Sequence, residues 1–144
     1  MGQISYRVEI EDAHAHAFAV TLTVPAPAAL QQLSLPAWIP GSYLLREFAR
    51  HLSGLTARQG SRELALEQLD KATWQVRCSG RAALVLRYRV HAFDNSVRAA
   101  WLDAQRGFFN GTSLCLRVHG REQEAHQLEL VRLPADWQVA TAMP

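Results

Sequence analysis

The sequence predicts an all-β fold, an antiparallel β-sandwich of about nine or ten short strands, with at most a short helical turn near residues 43–51. Three observations carry this. Apolar and polar side chains alternate at period two in one stretch after another, the pattern of a strand with one face in a core and one in water. Turn-forming residues recur about every 8–12 positions. No stretch keeps helical spacing long enough for a long helix.

Taken in order, Ile4, Tyr6, Val8 and Ile10 alternate with Ser5, Arg7 and Glu9, and Phe18, Val20, Leu22 and Val24 do so against Ala19, Thr21 and Thr23. A turn at residues 12–15 joins them as a hairpin. Pro25 and Pro27 stop the second strand, because proline cannot donate to a ladder. Leu33 and Leu35 begin a short strand that Pro36, Pro40 and Gly41 close. Residues 43–51 place Leu44, Leu45 and Phe48 at helical spacing, but the run is short. A strand follows over residues 52–57, then a turn at Gln59, Gly60 and Ser61. Leu64 with Leu66, then Trp74 with Val76 and Cys78, then Leu84, Leu86, Tyr88 and Val90 are the next strands. Beyond a break at Asp94, Asn95 and Ser96, Phe108 and Phe109 precede Asn110-Gly111, a strong turn dipeptide. Leu114, Leu116 and Val118 alternate, Leu128, Leu130 and Val131 form a late strand, and Pro134 to Asp136 turn the chain before Trp137 and Val139.

At 144 residues the chain fits a single domain, able to bury roughly 68–70% of its unfolded surface. Hydrophobic residues make up 49% and charged residues 19%, a globular balance. Prolines and polar residues break the uncharged stretch between Asp12 and Arg46, so it is no membrane span. The net charge is +2, and all basic residues but Lys71 are arginines spread among acids. No basic stripe points to nucleic acid. Cys78 and Cys115 lie in no CxxC or Cys/His arrangement and read as two reduced, partly buried thiols. The first residues show neither a basic nor an apolar leader region, which makes a cytoplasmic location the expectation.

Chemistry is sparse. Zinc-protease, P-loop and dinucleotide motifs are absent. His14 and His16 lie two apart, one face on a strand, but no third ligand accompanies them. Ser42 follows a Pro-Gly turn without the GxSxG elbow that would expose a nucleophile. Asp94 and Asp103 have no spacing that pairs them. Asn110-Gly111-Thr112 is a glycosylation triplet in form and a tight turn in context. The aromatic-rich stretch at residues 101–109 reads either as a loop covering the core or as a binding loop, since Trp, Tyr and Arg dominate interface energetics. From the residues alone, the reading is an all-β domain without its own active site.

Two long segments go further. LPAWIPGSYLLREFARH at residues 35–51 and residues 98–116, with RGFFNGTSL at residues 106–114, resemble signatures of the glycyl aminopeptidase family. These are thermolysin-like zinc metallopeptidases that also carry a PDZ domain. The opening YRVEIEDAHAHAFAVTLTV and the closing LPADW are similar too, so the likeness runs through nearly the whole chain.

The resemblance implies that residues 1–144 are one N-terminal β-sandwich domain of a larger enzyme. The zinc-binding catalytic domain and the PDZ domain would lie outside this chain, which then holds neither zinc nor catalytic residues and is inactive by itself. Its partners would be its own catalytic domain and, in the parent enzyme, a peptide substrate losing N-terminal glycine or alanine. Because sites commonly lie at domain interfaces, the segments 40–50 and 106–112 are expected to face the catalytic domain, since both mix turn formers with aromatic and arginine residues and both break the alternation. Arg46, Arg50 and Arg106 would pair with carboxylates across the junction, while Tyr43, Phe108 and Asn110 would line the groove. An isolated domain would expose an apolar patch, through which a homodimer can form. Two other readings stand beside this one: a free-standing sandwich binding a protein or carbohydrate through residues 101–109, and a hydrolase using Ser42 with a histidine.

Overall fold

The computed structural model describes residues 3–12, 17–35, 52–70, 72–91, 100–102, 107–109 and 115–131. Their strands are β1 (Ile4–Asp12), β2 (Ala17–Val24), β3 (Leu30–Ser34), β4 (Leu52–Gln59), β5 (Arg62–Leu64), β6 (Leu66–Asp70), β7 (Thr73–Arg77), β8 (Leu84–His91), β9 (Ala100–Leu102), β10 (Gly107–Phe109), β11 (Arg117–Val118) and β12 (His126–Val131). No helix occurs among the described residues. The helical turn expected at residues 43–51 lies outside them, as do the expected turn at residues 12–15 for the most part and the turn expected at Pro134 to Asp136.

The alternation does what it predicts. On β1, β2 and β8, Ile4, Tyr6, Val8, Phe18, Val20, Leu22, Val24, Leu84, Leu86, Tyr88 and Val90 are all buried. Register explains why they share a face: Tyr6 pairs with Leu22 and Val8 with Val20, while Leu22 pairs with Leu86 and Val20 with Tyr88. These strands form the centre of a six-stranded sheet in the order β12-β1-β2-β8-β4-β5. A second sheet, β11-β3-β7-β6, contributes Leu33, Trp74, Val76 and Val118 to the same core cluster, with Leu35, Cys78 and Leu116 at its strand ends. The two sheets thus enclose one apolar layer. Burying a side chain the size of Leu22 contributes about 1.5–3 kcal/mol, and truncating it to alanine would cost about 2–5 kcal/mol.

Three details depart from expectation. Leu64 and Leu66 belong to different sheets: β5 pairs with β4 and β6 with β7, so the chain crosses between sheets at Ala65. The sandwich is not wholly antiparallel, because β12 runs parallel to β1 with Tyr6 beside Leu128 and Val8 beside Leu130. A parallel neighbour requires a long crossover, and everything from β2 to β11 provides it. Finally, residues 100–109 are not a simple loop. Their described part forms a separate two-stranded ribbon, β10-β9, beyond the ten strands of the two sheets.

Turn chemistry fixes the β4–β5 hairpin. Gln59 pairs with Arg62, leaving Gly60 and Ser61 as a two-residue loop, and Gly60 adopts a φ of 62°. Primed hairpin turns demand that left-handed backbone at their first central residue, and glycine enters it without steric cost.

Candidate domain interface

Of the six residues expected at an interface, Phe108 falls within the described residues, at the middle of β10. Tyr43, Arg46, Arg50, Arg106 and Asn110 lie outside them, as do His14, His16 and Ser42. Phe108 stands opposite Trp101 in the ribbon register, with Gly107 opposite Leu102 and Phe109 opposite Ala100. The described part of the aromatic stretch noted in the sequence is therefore a pair of strands, with the Trp101 and Phe108 positions opposed in register.

Leu116 is fully buried in the core, and two phenols hold it there. The Tyr6 hydroxyl donates to the Leu116 carbonyl at 2.6 Å, and the Leu116 amide donates to the Tyr88 hydroxyl at 3.2 Å. Tyr6 and Tyr88 come from β1 and β8 of one sheet, and Leu116 leads into β11 of the other. A single residue is thus tied across the sandwich by both its backbone N–H and its carbonyl. Burial raises both phenols above their ordinary range. It also pushes the neighbouring Cys115 thiol up to about 12. These hydroxyls are hydrogen-bonding groups throughout the neutral range, and the thiol is no nucleophile there, since the thiolate is the reactive form.

After β11 the chain turns at His119, and buried Gln31 secures that turn. Its Nε2 donates to the carbonyls of His119 (3.0 Å) and Gln32 (3.1 Å), while its Oε1 accepts from the Ala28 amide at 3.0 Å. The His119 amide in turn donates to the Gln32 carbonyl at 3.1 Å. Gln59 plays the same part at the β7–β8 connection. It accepts from the Ser79 amide at 3.0 Å and donates to the carbonyls of Ser79 and Ala82. Buried amides with every polar atom engaged are tolerated in a core.

Sequence reasoning missed one further contact, Ser34 Oγ 2.7 Å from His119 Nε2. It joins β3 to the turn after β11 and is created by the pairing of Leu33 with Val118, which no local pattern announces. A serine–histidine pair needs a group to orient the imidazole before it acts as a nucleophile and base. Among the described residues no carboxylate bonds to this histidine, so the contact fastens a strand edge. Nor do three or more His, Cys, Asp or Glu side chains converge as metal ligands among the described residues. No described helix is long and apolar enough to cross a membrane.

Ion pairs decorate the rim. Arg117 meets Glu122 at 2.5 Å, Arg121 meets Glu124 at 2.7 Å, and Arg7 meets Glu129 at 3.5 Å. The arginines hold Glu122 and Glu124 below the usual carboxylate range. Exposed pairs of this kind add little to stability. Arg121 also donates to the Pro25 carbonyl, tying the turn after β11 to the segment after β2.

Comparison with known proteins adds to this geometry. A crystal structure described as an aminopeptidase N family protein from Idiomarina loihiensis matches with a TM-score of 0.85 and 43% sequence identity, over 89% of this chain and 22% of that one. The present chain thus spans about a fifth of that relative's length. No curated protein matches it. The profile of the Peptidase M61 N-terminal domain matches residues 5–144, and the chain belongs to that family.

Proposed function

We propose that this domain is the non-catalytic N-terminal module of a zinc aminopeptidase of the glycyl aminopeptidase type. It packs on the catalytic domain and closes one end of the substrate groove, so that only a chain terminus reaches the metal. Zinc and a PDZ domain belong to the remainder of the parent polypeptide, and the peptide substrate is held there. The observation that carries the reading is the family match over residues 5–144, joined to a relative more than three-quarters of whose length lies outside the matched part. Two free cysteines fit a reducing compartment such as the cytoplasm.

In the full-length polypeptide, Tyr43→Ala and Asn110→Ala raise KM several-fold for glycyl and alanyl substrates and leave kcat nearly unchanged. That split identifies lost binding shared by ground and transition states. Wild-type kinetics in both variants would remove these residues from the groove.

A further inference from the structure

Among the described residues, three arginines are matched by glutamates: Arg7 by Glu129, Arg117 by Glu122 and Arg121 by Glu124. Arg58, Arg62, Arg77 and Arg81 make no ion pair with a described residue, and all four are exposed. The fold gathers them at one end of the sandwich. Arg58 and Arg62 flank the β4–β5 turn, Arg77 ends β7, and Arg81 lies in the connection from β7 to β8. Gln59 locks these two loops together through its bonds to Ser79 and Ala82. Arg62 Nη1 adds a contact to Ser79 Oγ at 3.5 Å. Residues 58–63 and 77–84 hold these four arginines and a single carboxylate, Glu63. Beside Arg77, across the β3–β7 pairing, stands Leu30, which is 47% exposed.

We infer that this end of the sandwich is a docking surface for an acidic segment of a separate protein. The arginine forks take its carboxylates, and Leu30 takes an apolar residue between them. Charge complementarity points to that occupant. Like charges gathered without counter-charge repel one another, and a partner bearing carboxylates removes the repulsion. Guanidinium groups match carboxylates in planar, two-bonded geometry. Neither loop carries an aromatic side chain, so the stacking platform that single-stranded nucleic acid uses is missing. Loops already fixed by Gln59 lower the ordering cost of docking. Placement points to a separate chain. Residues 40–50, expected at the junction with the catalytic domain, precede β4, and residues 132–144 follow β12. Leu52 pairs with Val90 and Val131 with Glu9, at the far end of the sheet from Gln59 and Leu84. That separation is roughly 23 Å, the length of an eight-residue strand such as β8.

Fluorescence anisotropy tests this, with the full-length polypeptide and a labelled peptide of alternating glutamate and leucine as the probe. The peptide should bind, and binding should weaken as salt rises from about 0.05 M to about 0.5 M. Arg62→Gln with Arg81→Gln should weaken it about fivefold, the effect of losing two exposed ion pairs, with Tm unchanged. Leu30→Ser should also weaken it. Arg117→Gln, at an arginine already matched by a glutamate, should leave it unchanged, and a peptide with glutamine in place of glutamate should not bind. No binding of the acidic peptide, or equal affinity in the double variant and the wild type, would overturn the surface. So would tighter binding of a single-stranded DNA of equal charge, which would make the partner a nucleic acid. The measurement reads the surface whether or not the polypeptide releases N-terminal residues, so its outcome and that of the peptidase reading stay distinct.

Discussion

The Tyr6 hydroxyl lies 2.6 Å from the carbonyl oxygen of Leu116, 110 residues away in sequence. With Tyr88 on the amide side of the same residue, it makes the first strand responsible for where the chain stands as it enters β11. The Tyr6 ring is further engaged by His126, stacked at 6.0 Å between centroids, so one tyrosine serves both the four-stranded sheet and the parallel edge strand β12.

Tyr6→Phe keeps the ring and removes the donor, which leaves the buried Leu116 carbonyl unsatisfied. The cost is about 1–3 kcal/mol, read as a fall of several degrees in Tm. Tyr88→Phe should act on the same residue, through its N–H, so the double variant should lose less than the sum of the two singles. Strict additivity would show that the two phenols do not share a task.

Burial around Cys115 has a consequence at alkaline pH. Its thiol titrates near 9.0 when exposed and is pushed up to about 12 in the fold. The folded state therefore holds a proton that the unfolded state releases. Its stabilising contribution is complete below about pH 9 and is lost as pH rises toward 12. Tyr6 is shifted in the same sense and steepens the decline. Tm measured between pH 8 and 11 should fall, less steeply in Cys115→Ala, and iodoacetamide at pH 8 should modify Cys115 only after unfolding. Rapid modification of the folded chain would contradict the assignment.

Ala26 adopts a φ of 46° between Pro25 and Pro27. A left-handed backbone costs an L-residue roughly 1–2 kcal/mol, which glycine escapes. Ala26→Gly should stabilise the domain by about 1 kcal/mol after the added flexibility of the unfolded chain is subtracted. Chemical denaturation with an unchanged m-value would measure it. A loss of stability would mean that the methyl group makes contacts outweighing the strain.

How much of this the sequence reveals depends on how local the cause is. β1, β2 and β8 are legible because burial on one face imposes period two on consecutive residues, and Tyr6, Leu22 and Leu86 fall into register once that face is known. The crossing at Ala65 is hidden, since Leu64 and Leu66 show the same spacing whether a strand continues or changes sheet. The parallel placement of β12 and the Ser34–His119 contact come from pairings between distant segments, which alternation does not encode. Gln31 is within reach, as a polar residue two positions before Leu33 and four before Leu35 on the inward face. Of the candidate interface, the aromatic content of residues 101–109 was legible and their pairing into a ribbon was not, because two strands of three residues leave too short a pattern.

The most direct test of the account compares the full-length polypeptide with residues 1–144 in one assay, the release of N-terminal glycine or alanine from short peptides. The account predicts release by the full-length polypeptide, loss of release on treatment with a metal chelator, and none by residues 1–144. Release by residues 1–144 alone, or an inactive full-length polypeptide, would contradict it.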